Sequence, residues 1–325
     1  MSVRTTRTAP APGWPVTPTP DGVTYPRVLS GESATSVRSI TGIVLALAGY
    51  GLVVPVVAQM ILAVAWAVRG RPETFASYYS AAMAYQYPEG MLGAHLGLAM
   101  LIPVSLLVVR YVHNRSTRFL HSVQPGVRWR YLLVAAVVAV VVLNAVLWIS
   151  RIGTATTWAP QAHVGWWLLL IVVTSPWQAA AEEYFFRGYL MQALGSIVPT
   201  PWFGVVTSAL VFAIFHGVQN PALFVDRFGF GLLAGTLVLV TGGLEAGIAA
   251  HVVNNIFAFG YAALMGGVAT ARGVTTITWA GAGWDLLGFA LFGAVAWWLG
   301  RRFNLATTTP GEGAGAGLGV RAGIH

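Results

Sequence analysis

Apolar residues in this chain come in long, nearly unbroken runs, not in the i, i+3, i+4 rhythm of a helix with one wet face. The first run, ITGIVLALAGYGLVVPVVAQMILAVAWAV, fills residues 40–68, and Pro55 within it predicts a kink. The second fills about 91–111 and the third about 131–150. A fourth starts near 164, bends at Pro176 and continues to about 195. A fifth, WFGVVTSALVFAIFHG, follows Pro199 and Pro201. A sixth fills about 224–241, a seventh about 244–266 after Gly242 and Gly243, and an eighth about 284–301. Each approaches the roughly 20 residues that a helix needs to cross a bilayer. The pattern predicts an all-α, polytopic membrane protein with about eight transmembrane helices.

The polar stretches divide the chain. Residues 1–37 are rich in Pro, Thr, Ser and Arg, lack the apolar core of a signal peptide, and predict a disordered cytoplasmic arm. Helices 1–3 occupy 38–158, a helical core with helices 4–8 occupies 159–304, and 305–325 predict a flexible tail. The stretch 114–130 mixes Arg with Phe119, Leu120, Val123, Val127 and Trp129, which suits an interfacial segment. Tyr78, Tyr79, Tyr85 and Tyr87 suit an aromatic belt on the opposite side.

Composition agrees with a membrane location. Of 325 residues, 56% are hydrophobic and only 9% charged, against about 25% charged in a soluble domain. The net charge of +8 does not indicate a nucleic-acid partner. Every basic side chain is Arg, and these gather at Arg4, Arg7, Arg27 and Arg38, at Arg115, Arg118, Arg128 and Arg130, and at Arg301, Arg302 and Arg321. The intervening connections hold only Arg69, Arg71, Arg151 and Arg272. That bias predicts a multi-pass protein of the cell membrane with both termini cytoplasmic. The absence of cysteine excludes disulfides, thiolate catalysis and thiolate–zinc sites.

Against this background a few polar residues are costly. Of the ten acids, only Glu182, Glu183 and Asp226 fall at membrane depth. Glu183 and Arg187 are four apart in AAEEYFFRGYL and share a helix face, which predicts an ion pair. Glu182 is rotated about 100° away and has no such local partner, leaving it free for chemistry. His216 ends VFAIFHG four residues after Phe212, and His251 and Asn255 are four apart in AAHVVNN. His95 and Ser208 read as packing residues, Asn254 as glue between helices, and Asp226–Arg227 as a solvated or interfacial pair. Glu245 suits the amino end of its helix.

Glu182, His216, His251 and Asn255 thus form a convergent polar set on three helices, around a polar intramembrane cavity. Two readings stay open. A glutamate and a histidine can deprotonate water while a histidine and an amide stabilise an oxyanion. Alternatively, Glu182, His216 and His251 can hold Zn²⁺ or another divalent metal that activates water, as in a metalloprotease. One difficulty is depth: His216 lies roughly 22 Å along its helix and His251 roughly 10 Å along a helix running the same way. A fifth helix that starts outside the bilayer and ends inside the protein would resolve it. GVQNPAL would then be a non-helical turn lining a wet cavity.

EEYFFRG, FAIFH and HVVNN resemble, in order, the motifs EExxxR, FxxxH and HxxxN/D, with lead residues 34 and 35 apart. They are similar to those of the CPBP family, the CAAX proteases and bacteriocin-processing enzymes also called Abi, which includes the type II CAAX prenyl endopeptidases. The resemblance covers about residues 160–265 and implies an eight-helix intramembrane endopeptidase. It implies Glu182 and His216 as the water-activating pair, His251 and Asn255 as oxyanion stabilisers, and Glu183 and Arg187 as supporting residues. The implied partner is a membrane-associated peptide or protein within the bilayer. Relatives that act as scaffolds or bacteriocin immunity factors supply a non-catalytic alternative. A proton-coupled transporter using Glu182 and His216 is a third reading, weakened by the lack of an internal repeat.

Overall fold

In a computed structural model of the chain, residues 16–31 and 34–311 are described, and among them the only β pairing is two isolated bridges. The helices are α1 Ser36–Val68, α2 Phe75–Met83, α3 Pro88–Val112, α4 Trp129–Ser150 and α5 Val164–Ile197. They continue with α6 Pro201–Phe215, α7 Pro221–Thr241, α8 Glu245–Met265, α9 Val268–Arg272 and α10 Trp279–Arg302. All eight apolar runs are helices. Seven of them, α1, α3, α4, α5, α7, α8 and α10, are long and apolar enough to cross a membrane. The eighth, α6, has 15 residues and is shorter.

Local sequence explains the boundaries. Thr35 and Thr74 cap α1 and α2 by accepting from the backbone N–H groups of Arg38 and Ser77. Pro88, Pro201 and Pro221 stand in the first turn of α3, α6 and α7, where a missing N–H costs nothing. α1 and α5 each continue through their internal proline, Pro55 and Pro176. The outer faces are apolar: Leu52, Val64, Leu133, Val141, Trp166 and Trp298 are all exposed. In a soluble protein such a surface would aggregate; around a helical bundle it is the lipid face.

The depth difficulty resolves through recessed helix ends. Glu183 lies 14 residues before the end of α5, roughly 21 Å from it. His216 follows the 15 residues of α6, so it lies roughly 22 Å from the same end of the molecule. His251 is only six residues into α8, yet it hydrogen-bonds Glu183. The start of α8 therefore lies roughly 12 Å deeper than the end of α5. The recess is filled by the chain. Ser122 bridges Gly243, Leu244 N–H donates to His121, and Leu120 and Val123 are fully buried. Arg128 locks the arrangement, donating to Glu245 Oε1 from its backbone N–H at 3.0 Å and from Nε at 2.9 Å, and to Thr241 O from Nη1 at 2.7 Å.

Several expectations are corrected here. Residues 16–31 are not a loose arm. Tyr25 is fully buried and donates to Leu120 O, Arg27 donates to Gly195 O at 2.6 Å, and Thr24 bridges Thr308. Residues 1–15 and 312–325 of the predicted arm and tail lie outside the described residues. Residues 305–311 are anchored, with Thr309 buried and donating to Pro20 O. The 114–130 segment plugs the recess instead of lying flat on lipid. Tyr78 and Tyr85 do not form a belt: both are buried, and Tyr78 donates to Glu89. The 217–220 turn does not line the cavity; Asn220 pins it to Thr275 and Ile277. Glu245 is an ion-pair partner, and not merely a dipole charge.

Removing one member of a buried pair leaves the other charge uncompensated. Arg128→Ala is expected to cost about 3–5 kcal/mol. The double variant Arg128→Met/Glu245→Leu is expected to recover most of it. Thermal unfolding of the three proteins in detergent micelles checks this.

Candidate active site

The segment Glu183–Leu190 of α5 is wound as a π-helix, wider than the α-helical turns on either side. Such turns are rare and concentrate at functional sites. Here the segment packs against α3 and α6, its first residue Glu183 reaches α8, and every residue in it is buried. Glu183 and Arg187 are both inaccessible to solvent, with Arg187 Nη1 3.1 Å from Glu183 Oε1. The contact is an ion pair without the alignment of a hydrogen bond, since no guanidinium nitrogen of Arg187 has a hydrogen-bond partner. Aromatic faces supply the rest of its environment: the guanidinium carbon lies 3.9 Å from the centre of the Phe212 ring and 5.1 Å from that of Phe230.

The same oxygen of Glu183 accepts from His251 Nδ1 at 2.8 Å. That bond orients the ring and turns His251 Nε2 toward Glu182, whose Oε2 is 3.6 Å away. Glu183 Oε2 lies against Gly247, one turn before His251, where a Cβ would come within 3.0 Å of it. Glycine at 247 thus eases the close approach of α8 to α5.

Glu182 is held differently. Its Oε1 accepts from Gln178 Nε2 at 2.6 Å, while Oε2 is buried and has no hydrogen-bond partner. Gln178 Oε1 in turn accepts from Asn255 Nδ2 at 2.8 Å. Gln178 thus joins the Glu182 carboxylate to the Asn255 amide, and the motif reading missed it. The signal was present: Gln178 lies four residues before Glu182, on the same face of the α-helical part of α5.

His216 closes α6. Its Nδ1 donates to Phe212 O at 2.8 Å, which leaves Nε2 as an acceptor. The ring is half-buried, packs 4.3 Å from Phe212, and lies within Coulombic reach of Glu182, Arg227 and His251. Phe212 also packs edge-on against His251 at 6.2 Å, so one aromatic ring contacts both imidazoles.

The structure therefore brings Glu182, His251 and Asn255, with His216 close by, to one place. It does not put all of them on one wall. A cavity of about 970 Å³ between α4, α7, α8 and α10 is lined by His251, Asn255, Asn254, Phe212, Asp226 and Arg227, among others. Glu182 and His216 are not in its lining and stand on the α5–α6 side of His251 and Asn255. Asp226 and Arg227 are cavity residues and not a solvated surface pair. Asn254 faces the cavity and donates to Asn255 instead of tying helices together. His95 and Ser208 do pack: His95 meets Thr174 Oγ1 at 2.7 Å, and Ser208 donates to Val205 O.

For a divalent ion the arrangement does not fit. Among the described residues no group of three or more His, Cys, Asp or Glu side chains is placed to hold a metal. Glu182, His216 and His251 are not close enough together to form such a group, although Nε2 of each imidazole is left without a hydrogen bond.

Residues 163–257 match the family model described as type II CAAX prenyl endopeptidase Rce1-like. The uncharacterized protein YyaK of Bacillus subtilis (strain 168) is 26% identical over 174 residues, covering 50% of this chain and 58% of that protein. The chain thus spans little more than half the length of that relative. No solved structure matches the chain significantly. The matched segment contains Glu182, Glu183, Arg187, His216, His251 and Asn255 together with Gln178.

The two glutamates are expected to differ in stability effects. Arg187→Met strands the buried Glu183 charge and is expected to cost about 3–5 kcal/mol. Glu182→Gln loses one side of a hydrogen-bonded chain and is expected to cost about 1 kcal/mol. Unfolding midpoints in micelles separate the two.

Proposed function

We propose that this chain, whose residues 163–257 form a type II CAAX prenyl endopeptidase Rce1-like region, is an intramembrane endopeptidase. It hydrolyses a peptide bond of a membrane-associated polypeptide with water activated by Glu182 and His216. The observation that carries this reading is the free oxygen of Glu182. A buried carboxylate with one oxygen held by Gln178 and the other without a hydrogen bond, 3.6 Å from His251 Nε2, can accept from a further donor. A water molecule is such a donor.

His216 complements Glu182. With Nδ1–H committed to Phe212 O, its Nε2 lone pair can take a proton. The water oxygen attacks the carbonyl carbon as its proton passes to the Glu182–His216 pair. The carbonyl oxygen becomes an oxyanion, which His251 Nε2–H and the uncommitted N–H of Asn255 Nδ2 stabilise. Collapse breaks the C–N bond, and the proton held by the pair goes to the leaving amine. Glu183 acts through His251: its carboxylate accepts from Nδ1–H and holds the ring in place, as an aspartate does behind a catalytic histidine. Arg187 is the ion-pair partner of Glu183 in this dry environment.

The arginine bias between alternate connections supports a multi-pass protein of the cell membrane with both termini toward the cytoplasm. Low charge around the site serves the chemistry as well as insertion, because fixed dipoles act more strongly where water is scarce.

Comparative proteomics of cells with wild-type and variant protein tests the reading. Glu182→Gln and His216→Asn are each expected to lower the appearance of a specific new peptide terminus by about 10²–10⁴-fold, with normal accumulation of the enzyme. Cleavage by the purified protein is expected to persist in a divalent-metal chelator. An unchanged set of termini in both variants contradicts the endopeptidase assignment; chelator sensitivity contradicts the metal-free mechanism.

A further inference from the structure

We infer that Gln178 is a positioning residue for the proposed reaction, a role that rests on the endopeptidase reading. It ties the Glu182 carboxylate to the Asn255 amide in a one-way chain of hydrogen bonds. That chain makes Asn255 present a donor, and not its carbonyl oxygen, to the developing oxyanion.

The chain has three links across two helices. Asn254 Nδ2 donates to Asn255 Oδ1 at 3.2 Å, Asn255 Nδ2 donates to Gln178 Oε1 at 2.8 Å, and Gln178 Nε2 donates to Glu182 Oε1 at 2.6 Å. Gln178 and Glu182 are both buried in α5. Asn254 and Asn255 belong to α8 and line the cavity, with Asn254 exposed at the outer end of the chain.

One constraint sets the direction of every link. A glutamate that acts as a base is ionised, and an ionised carboxylate only accepts. Gln178 must therefore turn its NH₂ group to Glu182, which leaves its carbonyl oxygen for Asn255. Asn255 must answer with an N–H, so its own oxygen falls to Asn254. Each donation also polarises the amide behind it, which strengthens the next bond in the series.

Two consequences bear on the reaction. With Oε1 of Glu182 occupied by Gln178, water meets Oε2, the oxygen 3.6 Å from His251 Nε2. Asn255 Nδ2 commits one hydrogen to Gln178 and keeps a second for the oxyanion. Its Oδ1 is meanwhile turned to Asn254. An amide turned over would set a carbonyl oxygen against the developing negative charge and repel it. Holding the chain requires a donor and an acceptor on one side chain at position 178. Methionine fills a similar volume but offers no N–H, and would leave Asn255 free to turn.

The test uses the full-length protein purified in micelles. Its substrate is a synthetic peptide spanning the bond whose cleavage in cells is lost with Glu182→Gln. Gln178→Met is expected to lower kcat by about 10²-fold, the size of one lost oxyanion donor, with KM little changed. In an Asn255→Ala background the same substitution is expected to lower kcat far less, because the two residues act as a unit. A wild-type kcat in Gln178→Met, a loss confined to KM, or additive effects in the double variant overturns the inference. Asn254→Asp probes the same chain from its exposed end, where the fold is not at stake. Its carboxylate cannot donate to Asn255 Oδ1 and draws Nδ2–H away from its task. This variant is expected to lower kcat by about five- to tenfold, and an unchanged kcat overturns the inference. If Glu182→Gln abolishes cleavage and Gln178→Met does not, only the role of Gln178 fails. If Glu182→Gln changes no terminus in cells, the endopeptidase reading fails and this role with it.

Discussion

A single fully buried carboxylate organises this protein. Glu183 Oε1 meets both Arg187 and His251, and no solvent reaches any part of its side chain. Burying one such charge in lipid or protein interior is costly, and only close compensation makes it tolerable. Compensation fixes geometry: α5 and α8 must approach until Gly247 touches the carboxylate, and Phe212 and Phe230 must cover the guanidinium. Once those contacts form, His251 Nε2 points at Glu182, and Asn255, one turn further along α8, reaches Gln178. The geometry of the proposed site is thus a by-product of satisfying a structural charge.

That dependence also accounts for the recessed end of the bundle. With His251 so early in α8, pairing it with Glu183 draws the start of that helix inward. The void must be filled by polar connections that satisfy their own hydrogen bonds. The Arg128–Glu245 lock, the Ser122–Gly243 bridge and the clasp formed by residues 16–31 do this.

Much of this was legible in the sequence, because membrane burial makes polar residues conspicuous. The eight apolar runs became eight helices, and the i, i+4 spacing of Glu183 and Arg187 became an ion pair. The family resemblance and the polytopic all-α class stand with the comparison and the fold. What escaped has physical reasons. Nothing in EYFFRGYL distinguishes π from α winding, since both bury the same apolar residues. Gln178 is neutral and carries no motif, although its spacing from Glu182 placed it. The depth mismatch between His216 and His251 assumed helices of equal level, and hydropathy cannot see a helix that starts inside the protein. The burial of Tyr25 and Leu120 escaped because the polar stretches around them read as a disordered arm and an interfacial segment.

The central claim is that Glu183 and His251 are energetically one unit. A double-mutant cycle on unfolding in micelles, with Glu183→Gln, His251→Asn and the pair, measures this directly. The account predicts a coupling of at least about 1 kcal/mol, as expected for side chains sharing a buried network. Additive single effects, with no coupling beyond about 0.3–0.5 kcal/mol, would contradict it.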